Sequence, residues 1–149
     1  MERNKLESIL KQKVKSINSI SGGCIADSAA VVLESGKELF VKNYGNKKNI
    51  ILNEVNGIKE LSKPAVIKVP TIVAFDESIL ILEYIHQGSP GKDFFAKFGS
   101  EFAKMHKFKG AKFGFYEDNY IGSNKQINTI DYSNWVDFYF NNRLFYQYK

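Results

Sequence analysis

The residues best suited to chemistry are a lysine and a glutamate that the sequence pattern brings together. Lys42 closes the run Leu39-Phe40-Val41-Lys42, and Glu54 follows in a stretch with helical spacing. A lysine held by a helix carboxylate presents its ammonium in one rotamer to the oxygens of a nucleotide's phosphates, so less entropy is lost on binding. The plainer alternative is a solvent-facing strand lysine beside an unrelated glutamate. Upstream, Ser21-Gly22-Gly23-Cys24 forms a glycine turn. Gly22 and Gly23 let backbone N–H groups approach phosphate oxygens without a Cβ in the way, although hairpins also use such turns for steric reasons alone. The turn fits neither the P-loop pattern nor the three-glycine nucleotide pattern. Downstream, Glu83-Tyr84-Ile85 leads out of an apolar run. There the main chain offers the donor and the acceptor that an adenine edge needs.

The other reactive side chains carry less. His106 lies on an apolar helix face and is read as a core residue, while His86 is read as an exposed connector residue. Cys24, the single cysteine, is read as a small buried residue rather than an oxidisable thiol.

These residues need a frame, and the pattern supplies one. Leu6, Leu10 and Val14 predict a short amphipathic helix over 6–14. Strands are predicted at 16–21, 28–33 and 39–42, joined by glycine-bearing turns into an antiparallel meander. A helix follows, capped by Asn49, with Ile51, Val55, Ile58 and Leu61 sharing a face and Pro64 marking its end. Strands at 71–75 and 78–82 form a second hairpin. The connector Ile85-His86-Gln87-Gly88-Ser89-Pro90-Gly91 is the predicted boundary, giving a first lobe at 1–84, a hinge at 85–91 and a further part at 92–149. Phe94, Phe95, Phe98, Phe102, Met105 and His106 predict a helix over 93–107. Residues 112–126 show no sustained period. Residues 132–149 form another helix candidate, with eight aromatics in eighteen residues. A helix this aromatic calls for a partner surface, so self-association as a homo-oligomer is expected.

Composition removes several classes. The 149 residues are 44% apolar and 25% charged with three prolines, which excludes collagen-like, mucin-like and wholly disordered chains. The net charge of +5 is spread along the chain and does not mark a nucleic-acid binder. The aromatic tail has only Arg143 and Lys149 as positive partners, so core packing explains it better than base stacking. One cysteine excludes an internal disulfide and a multi-thiolate zinc site, and two histidines do not suggest a metal cluster. No stretch approaches the ~20 apolar residues of a membrane span. The opening MERNKLESILKQKVK has no apolar signal core, so a reducing, cytoplasmic setting is expected.

Taken together, the order of elements resembles the amino-terminal lobe of the protein-kinase-like superfamily, and one branch matches in detail. The sequence resembles the fructosamine kinase (ketosamine-3-kinase) family, related to aminoglycoside and choline kinases. The resemblance rests on Ile20-Ser21-Gly22-Gly23-Cys24-Ile25, Leu39-Phe40-Val41-Lys42, Asn53 to Ile58, Leu80 to Ile85 and Met105-His106. Its most distinctive part runs from Gly114-Phe115 through Asp118-Asn119-Tyr120-Ile121-Gly122 to Gln126 and Asn128. Trp135, Phe138, Arg143-Leu144 and Gln147 complete it.

The resemblance implies an α+β fold: a five-stranded antiparallel sheet with one main helix, followed by the first helices of a second lobe. It implies ATP- and magnesium-dependent phosphorylation of a sugar hydroxyl on a small-molecule or protein-bound ketosamine. It assigns phosphate contact to Lys42, orientation to Glu54, phosphate-loop backbone to Gly22 and Gly23, and adenine contact to Glu83, Tyr84 and Ile85. No nucleic acid or membrane partner is implied. Family members are considerably longer, and their second half carries a histidine-glycine-aspartate loop that this sequence lacks. Asp137 and Asn142 have the spacing of a catalytic aspartate and its asparagine. No histidine-glycine precedes them, and they are rejected. The chain is therefore expected to lack catalytic residues and metal ligands of its own and to be inactive alone. The alternative is a nucleotide-binding or self-associating remnant.

Overall fold

The computed structural model describes residues 1–21 and 25–148. The chain divides into two compact units, Met1–Met105 and His106–Lys149. The first holds α1 (Arg3–Leu10), β1 (Val14–Ile20), β2 (Asp27–Leu33), β3 (Glu38–Asn43), α2 (Lys48–Ser62), β4 (Ile72–Phe75), β5 (Ile79–Glu83) and all but the last residue of α3 (Phe94–His106). Its five strands form one sheet in the order β1-β2-β3-β5-β4, with every neighbouring pair antiparallel. The fold is α+β, as expected.

Side-chain alternation builds two cores, one on each face of this sheet. Leu39, Val41, Ile79 and Ile81 point to one face and pack with Leu6 of α1, Val14, Val31 and Leu33. Leu80 and Leu82 point to the other and pack with Ala26, Tyr44 and, from α2, Ile51 and Val55. Four consecutive buried residues in β5 thus serve both faces, which is why that segment reads as an unbroken apolar run. Each fully buried Leu or Ile contributes about 1.5–3 kcal/mol relative to exposure.

Several boundaries differ from the sequence expectation. α1 stops at Leu10 because Lys11 turns left-handed at φ 54°, and Val14 opens β1 instead of closing the helix. Leu6 and Val14 still meet, in one core, from two different elements. α2 begins one residue before Asn49, with Lys47 at its N-cap and no side-chain cap bond, so Asn49 is not the cap. Leu61 is 51% exposed and leaves the buried face of α2, which ends at Ser62 ahead of Pro64. In α3 no residue is buried. Phe94, Phe98 and Phe102 stack along it at centroid distances of 6.1 and 5.7 Å. His106 is exposed, so the core reading of it is wrong.

The second unit contains β6 (Asn119–Ile121), β7 (Asn124–Gln126), α4 (Trp135–Tyr139), a π-helical turn (Phe140–Phe145) and α5 (Tyr146–Tyr148). The irregular stretch expected at 112–126 therefore holds a hairpin, turned at Gly122 with φ 61°. Its strands are three residues each, too short to show alternation. The final helix starts at Trp135 rather than at 132, because Asn134 caps it: the Asn134 side chain accepts a hydrogen bond from the Asp137 N–H. The Asp137 carboxylate in turn accepts from Asn134 Nδ2 at 2.7 Å, a cap arrangement. The Asn142 side chain is buried and accepts from the Tyr132 hydroxyl at 3.2 Å. Asp137 is thus accounted for by the cap, whereas Asn142 is held through its oxygen alone and its buried Nδ2 has no hydrogen-bond partner among the described residues.

The hairpin is tied to the helix by a polar hub. Asp118 Oδ1 accepts from the N–H of Asn128 at 2.8 Å and from the N–H and hydroxyl of Thr129 at 3.3 and 3.1 Å. Asn128, 3% exposed, donates to the Glu117 carbonyl at 3.0 Å and to Asn119 Oδ1 at 2.9 Å. Arg143 donates to the Asn128 side chain and, at 3.0 Å, to the Ile127 carbonyl. The Asn128 N–H, followed by Lys125 and Thr129, holds the Asp118 carboxyl below its ordinary value against the opposing effect of burial. A carboxyl with a lowered folded-state pKa contributes stability that is full above the unfolded value and is lost as pH falls through the folded one. Hydrogen exchange in the full chain should show the amides of Asn128 and Thr129 less protected in Asp118→Asn than in the parent at neutral pH. The gap should close as the pH drops below the ordinary aspartate value of 3.8. A gap that stays constant with pH would remove the carboxylate from this role.

Candidate functional site

Alternation fixes where Lys42 points. In β3, Leu39 and Val41 face the α1 core, so Phe40, Lys42 and Tyr44 face α2. On α2, Glu54 lies between Ile51 and Ile58, beside the stripe that packs on the sheet. The two side chains meet. Lys42 Nζ donates to Glu54 Oε1 at 2.7 Å and to Oε2 at 2.8 Å, so the ammonium is shared across both carboxylate oxygens. Both side chains are about one-quarter exposed, 25% and 27%, which leaves the pair open to solvent on one side.

A third residue, the first after β3, completes the cluster. Tyr44 is 4% exposed, and its hydroxyl donates to Glu54 Oε2. Lys42 Nζ lies 5.2 Å from the centroid of its ring, a cation–π distance. Burial, and then the bond to the Glu54 carboxylate, push the Tyr44 phenol far above its ordinary value. It therefore stays protonated and remains a donor. The signal is present in the sequence, since Tyr44 is two residues past Lys42 and so on the same face of the strand. Glu54 thus holds two partners in one rotamer, and the Lys42 ammonium keeps donor capacity for an anion arriving from solvent.

The second predicted group sits where β5 ends. Lys42 pairs with Leu80, and Glu83 lies three residues further along β5, about 10 Å at the strand rise. Glu83 does not point its carboxylate toward Lys42. Its Oε1 takes the Lys68 ammonium, and its Oε2 accepts from the Thr71 N–H at 3.3 Å and hydroxyl at 3.1 Å. The Lys68 bond, and then those from Thr71, hold the Glu83 carboxyl below its ordinary value. Tyr84 and Ile85 follow without regular secondary structure, and Ile85 is 48% exposed. His86 Nε2 lies 3.2 Å from Glu38 Oε2, and its ring meets that of Tyr84 edge-on at 4.9 Å. Gly22, Gly23 and Cys24 lie outside the described residues.

A lysine at the end of the third strand thus meets a carboxylate on the next helix, beside an apolar fifth strand that runs out to a connector. The family model of fructosamine kinase matches residues 2–149. The chain belongs to the fructosamine kinase family. Among curated relatives it is similar to the chloroplastic protein-ribulosamine 3-kinase of Oryza sativa subsp. indica, 35% identical over 91% of this chain and 41% of the relative. It is also similar to the corresponding protein of Arabidopsis thaliana, 34% identical over 92% of this chain and 44% of that protein. A probable ketoamine kinase of Synechocystis is 30% identical over 91% of this chain and 47% of its own length. The chain thus spans less than half the length of these relatives. Two solved structures described as candidate fructosamine-3-kinases share the kinase-like fold. The one from Thermobifida fusca has a TM-score of 0.80 at 24% identity over 95% of this chain and 50% of that one. The one from Haemophilus somnus has a TM-score of 0.83 at 22% identity over 97% and 51%.

The distinctive family stretch has a structural explanation. Asp118, Asn119, Asn128 and Arg143, which carry much of the resemblance, are the members of the polar hub in the second unit. The sequence marks them as a signature, and the structure gives them the task of joining hairpin to helix. Among the described residues no helix is long and apolar enough to cross a membrane.

Proposed function

We propose that this chain is the nucleotide-binding part of an ATP-dependent kinase that phosphorylates a sugar hydroxyl of ketosamines, small or protein-bound. The observation that carries the reading is the two-oxygen grip of Glu54 on Lys42, open to solvent and braced by Tyr44. In this reading Lys42 binds the nucleotide's phosphate oxygens and Glu54 keeps its ammonium in place. The backbone at Gly22 and Gly23 cradles the phosphates, and the main chain from Glu83 to Ile85 takes the adenine edge. The names of the relatives, ribulosamine and ketoamine kinases, support the acceptor class.

ATP supplies the γ-phosphoryl group, and magnesium neutralises charge on its oxygens. Among the described residues no group of three or more His, Cys, Asp or Glu side chains is placed to hold a metal ion, so no step through magnesium is assigned to this chain. The sequence contains no histidine-glycine-aspartate, and its histidines are His86 and His106. A base for the acceptor hydroxyl is therefore not assigned to this chain either, and without one most of the positioning and electrostatic contribution to transfer is lost. The single cysteine suits a reducing, cytoplasmic setting.

Calorimetric titration with a non-hydrolysable ATP analogue and magnesium tests the reading. Saturable binding is expected, with no phosphorylation of a fructosyl or ribulosyl amine by the purified chain. Absence of binding overturns the nucleotide site, and turnover by the chain alone overturns the division of labour.

A further inference from the structure

The Glu83 carboxylate is committed to a contact that the proposed adenine site does not by itself require. In an antiparallel ladder, residues of a hydrogen-bonded pair exchange both N–H···O bonds. Ile72 pairs with Leu82, so the next pair outward is Thr71 with Glu83. Half of the exchange is present: the Glu83 N–H donates to the Thr71 carbonyl at 2.8 Å. The other half is diverted. The Thr71 N–H, together with its hydroxyl, goes to the Glu83 side chain. The ladder with β4 stops at this residue, while on its other flank Glu83 still sits opposite Leu39 of β3, and the main-chain carbonyl of Glu83 is not taken by Thr71. Lys68 grips the second carboxylate oxygen from the segment between α2 and β4. Immediately beyond lie Gly88, Pro90 and Gly91 in an exposed stretch without regular secondary structure. The last residue before that stretch is thus held by its side chain from one flank.

We infer that Lys68, Thr71 and the Glu83 side chain form a clamp that positions the main chain of residues 83–85 for the adenine edge. This rests on the nucleotide-binding reading above. The three side chains touch one another rather than the nucleotide and act as positioning residues. A strand end that frays offers its donors and acceptors in many geometries, whereas one pinned through three side-chain bonds offers one.

The test compares two ligands on the full chain: the magnesium complex of a non-hydrolysable ATP analogue, and magnesium tripolyphosphate, which has no adenine. Glu83→Ala removes every side-chain bond of the clamp and keeps the main chain. It should weaken the ATP analogue about tenfold and leave tripolyphosphate within about twofold, the loss expected of one or two hydrogen bonds. Thr71→Val combined with Lys68→Met should show the same split, and Thr71→Ser should restore near-parental binding. Equal loss for both ligands, or loss for neither, overturns the clamp. Hydrogen exchange without ligand probes the clamp independently of binding: the amides of Tyr84, Ile85 and His86 should exchange faster in Glu83→Ala, and unchanged rates overturn the inference. If the parent chain binds neither ligand, the nucleotide reading fails, and the exchange rates alone decide whether the clamp exists.

Discussion

Replacing Lys42 by alanine should lower the affinity of the chain for a magnesium–ATP analogue by at least tenfold, with the chain still folded and its melting temperature lower by a few degrees. A charge-assisted hydrogen bond is worth about 1.5–3 kcal/mol, or roughly 10- to 150-fold in affinity. The pair with Glu54 is one-quarter exposed, between a surface pair and a buried one, so its loss costs the fold about 1–2 kcal/mol. Glu54 is also not left unpartnered, because the Tyr44 hydroxyl remains on Oε2.

Tyr44→Phe extends the series. It keeps the buried ring and the cation–π contact with Lys42 and removes only the hydroxyl, so it should weaken binding about three- to tenfold. In a Glu54→Gln background the same change should add little, because the hydroxyl acts through Glu54. Isothermal titration of the four variants checks both statements. Full additivity would show that Tyr44 serves only the core, and an unchanged affinity in Lys42→Ala would move the phosphate site elsewhere.

The series also separates what the sequence discloses in the first unit from what it does not. Alternation in Leu39-Phe40-Val41-Lys42 and the helical spacing of Ile51 and Val55 are enough to bring Lys42 to Glu54. Both periods are long enough there to be read, and both faces have a core to bury. Tyr44 is hidden by its neighbours. Asn43, Gly45 and Asn46 are turn formers, and Gly45 is indeed left-handed at φ 59°, so the segment reads as a loop. Yet the Tyr44 N–H still donates to the Ser78 carbonyl at 2.7 Å, continuing the ladder past the last strand residue. Thr71 and Lys68 are hidden for a different reason. Their partner is a strand-exit glutamate whose side-chain contacts depend on how the segment after α2 returns to the sheet, and no local period records that path.

The second unit is legible as a family signature and illegible as a structure. β6 and β7 are too short for a period, and the hub that joins them to the last helix is polar, so hydrophobic patterning is blind to it. What the sequence does offer is composition: Asp118, Asn119, Asn128 and Arg143 are residue types that satisfy backbone groups where no ladder can. The aromatic residues of the last stretch divide in the structure. Phe138 is 1% exposed and carries the packing, whereas Trp135, Phe140 and Leu144 are each more than half exposed. A count of aromatics alone does not separate these groups, because the π-helical turn shifts the phase of every side chain after Tyr139.

Gly114→Ala should be the most damaging small substitution in this unit, at about 2–4 kcal/mol. Gly114 has φ +88°, a conformation that costs a side-chain-bearing residue about 1–2 kcal/mol. The methyl would also have no room. A Cβ there would lie 2.6 Å from Phe138 Cε2 and 2.9 Å from the Asn128 carbonyl oxygen. Neither neighbour can yield cheaply. Phe138 packs against Trp135 and Tyr132 at centroid distances of 5.6 and 6.0 Å and under the Arg143 guanidinium at 4.9 Å. The backbone of Asn128 is held through the hub by Asp118. One methyl group thus pushes on the ring that anchors the last helix and on the residue that anchors the hairpin. The single tryptophan, Trp135, lies beside that ring, so its fluorescence and near-ultraviolet dichroism report the damage directly. Exchange protection of the Asn128 amide should fall with it, while amides of β3 and β5 keep theirs. Gly99→Ala is the matched control: nothing lies within 4 Å of its Cβ, and in the interior of α3 the change should stabilise by up to about 1 kcal/mol. A Gly114→Ala chain with parental tryptophan signals and parental exchange at Asn128 would mean that the contact between Gly114 and Phe138 does not hold the second unit together.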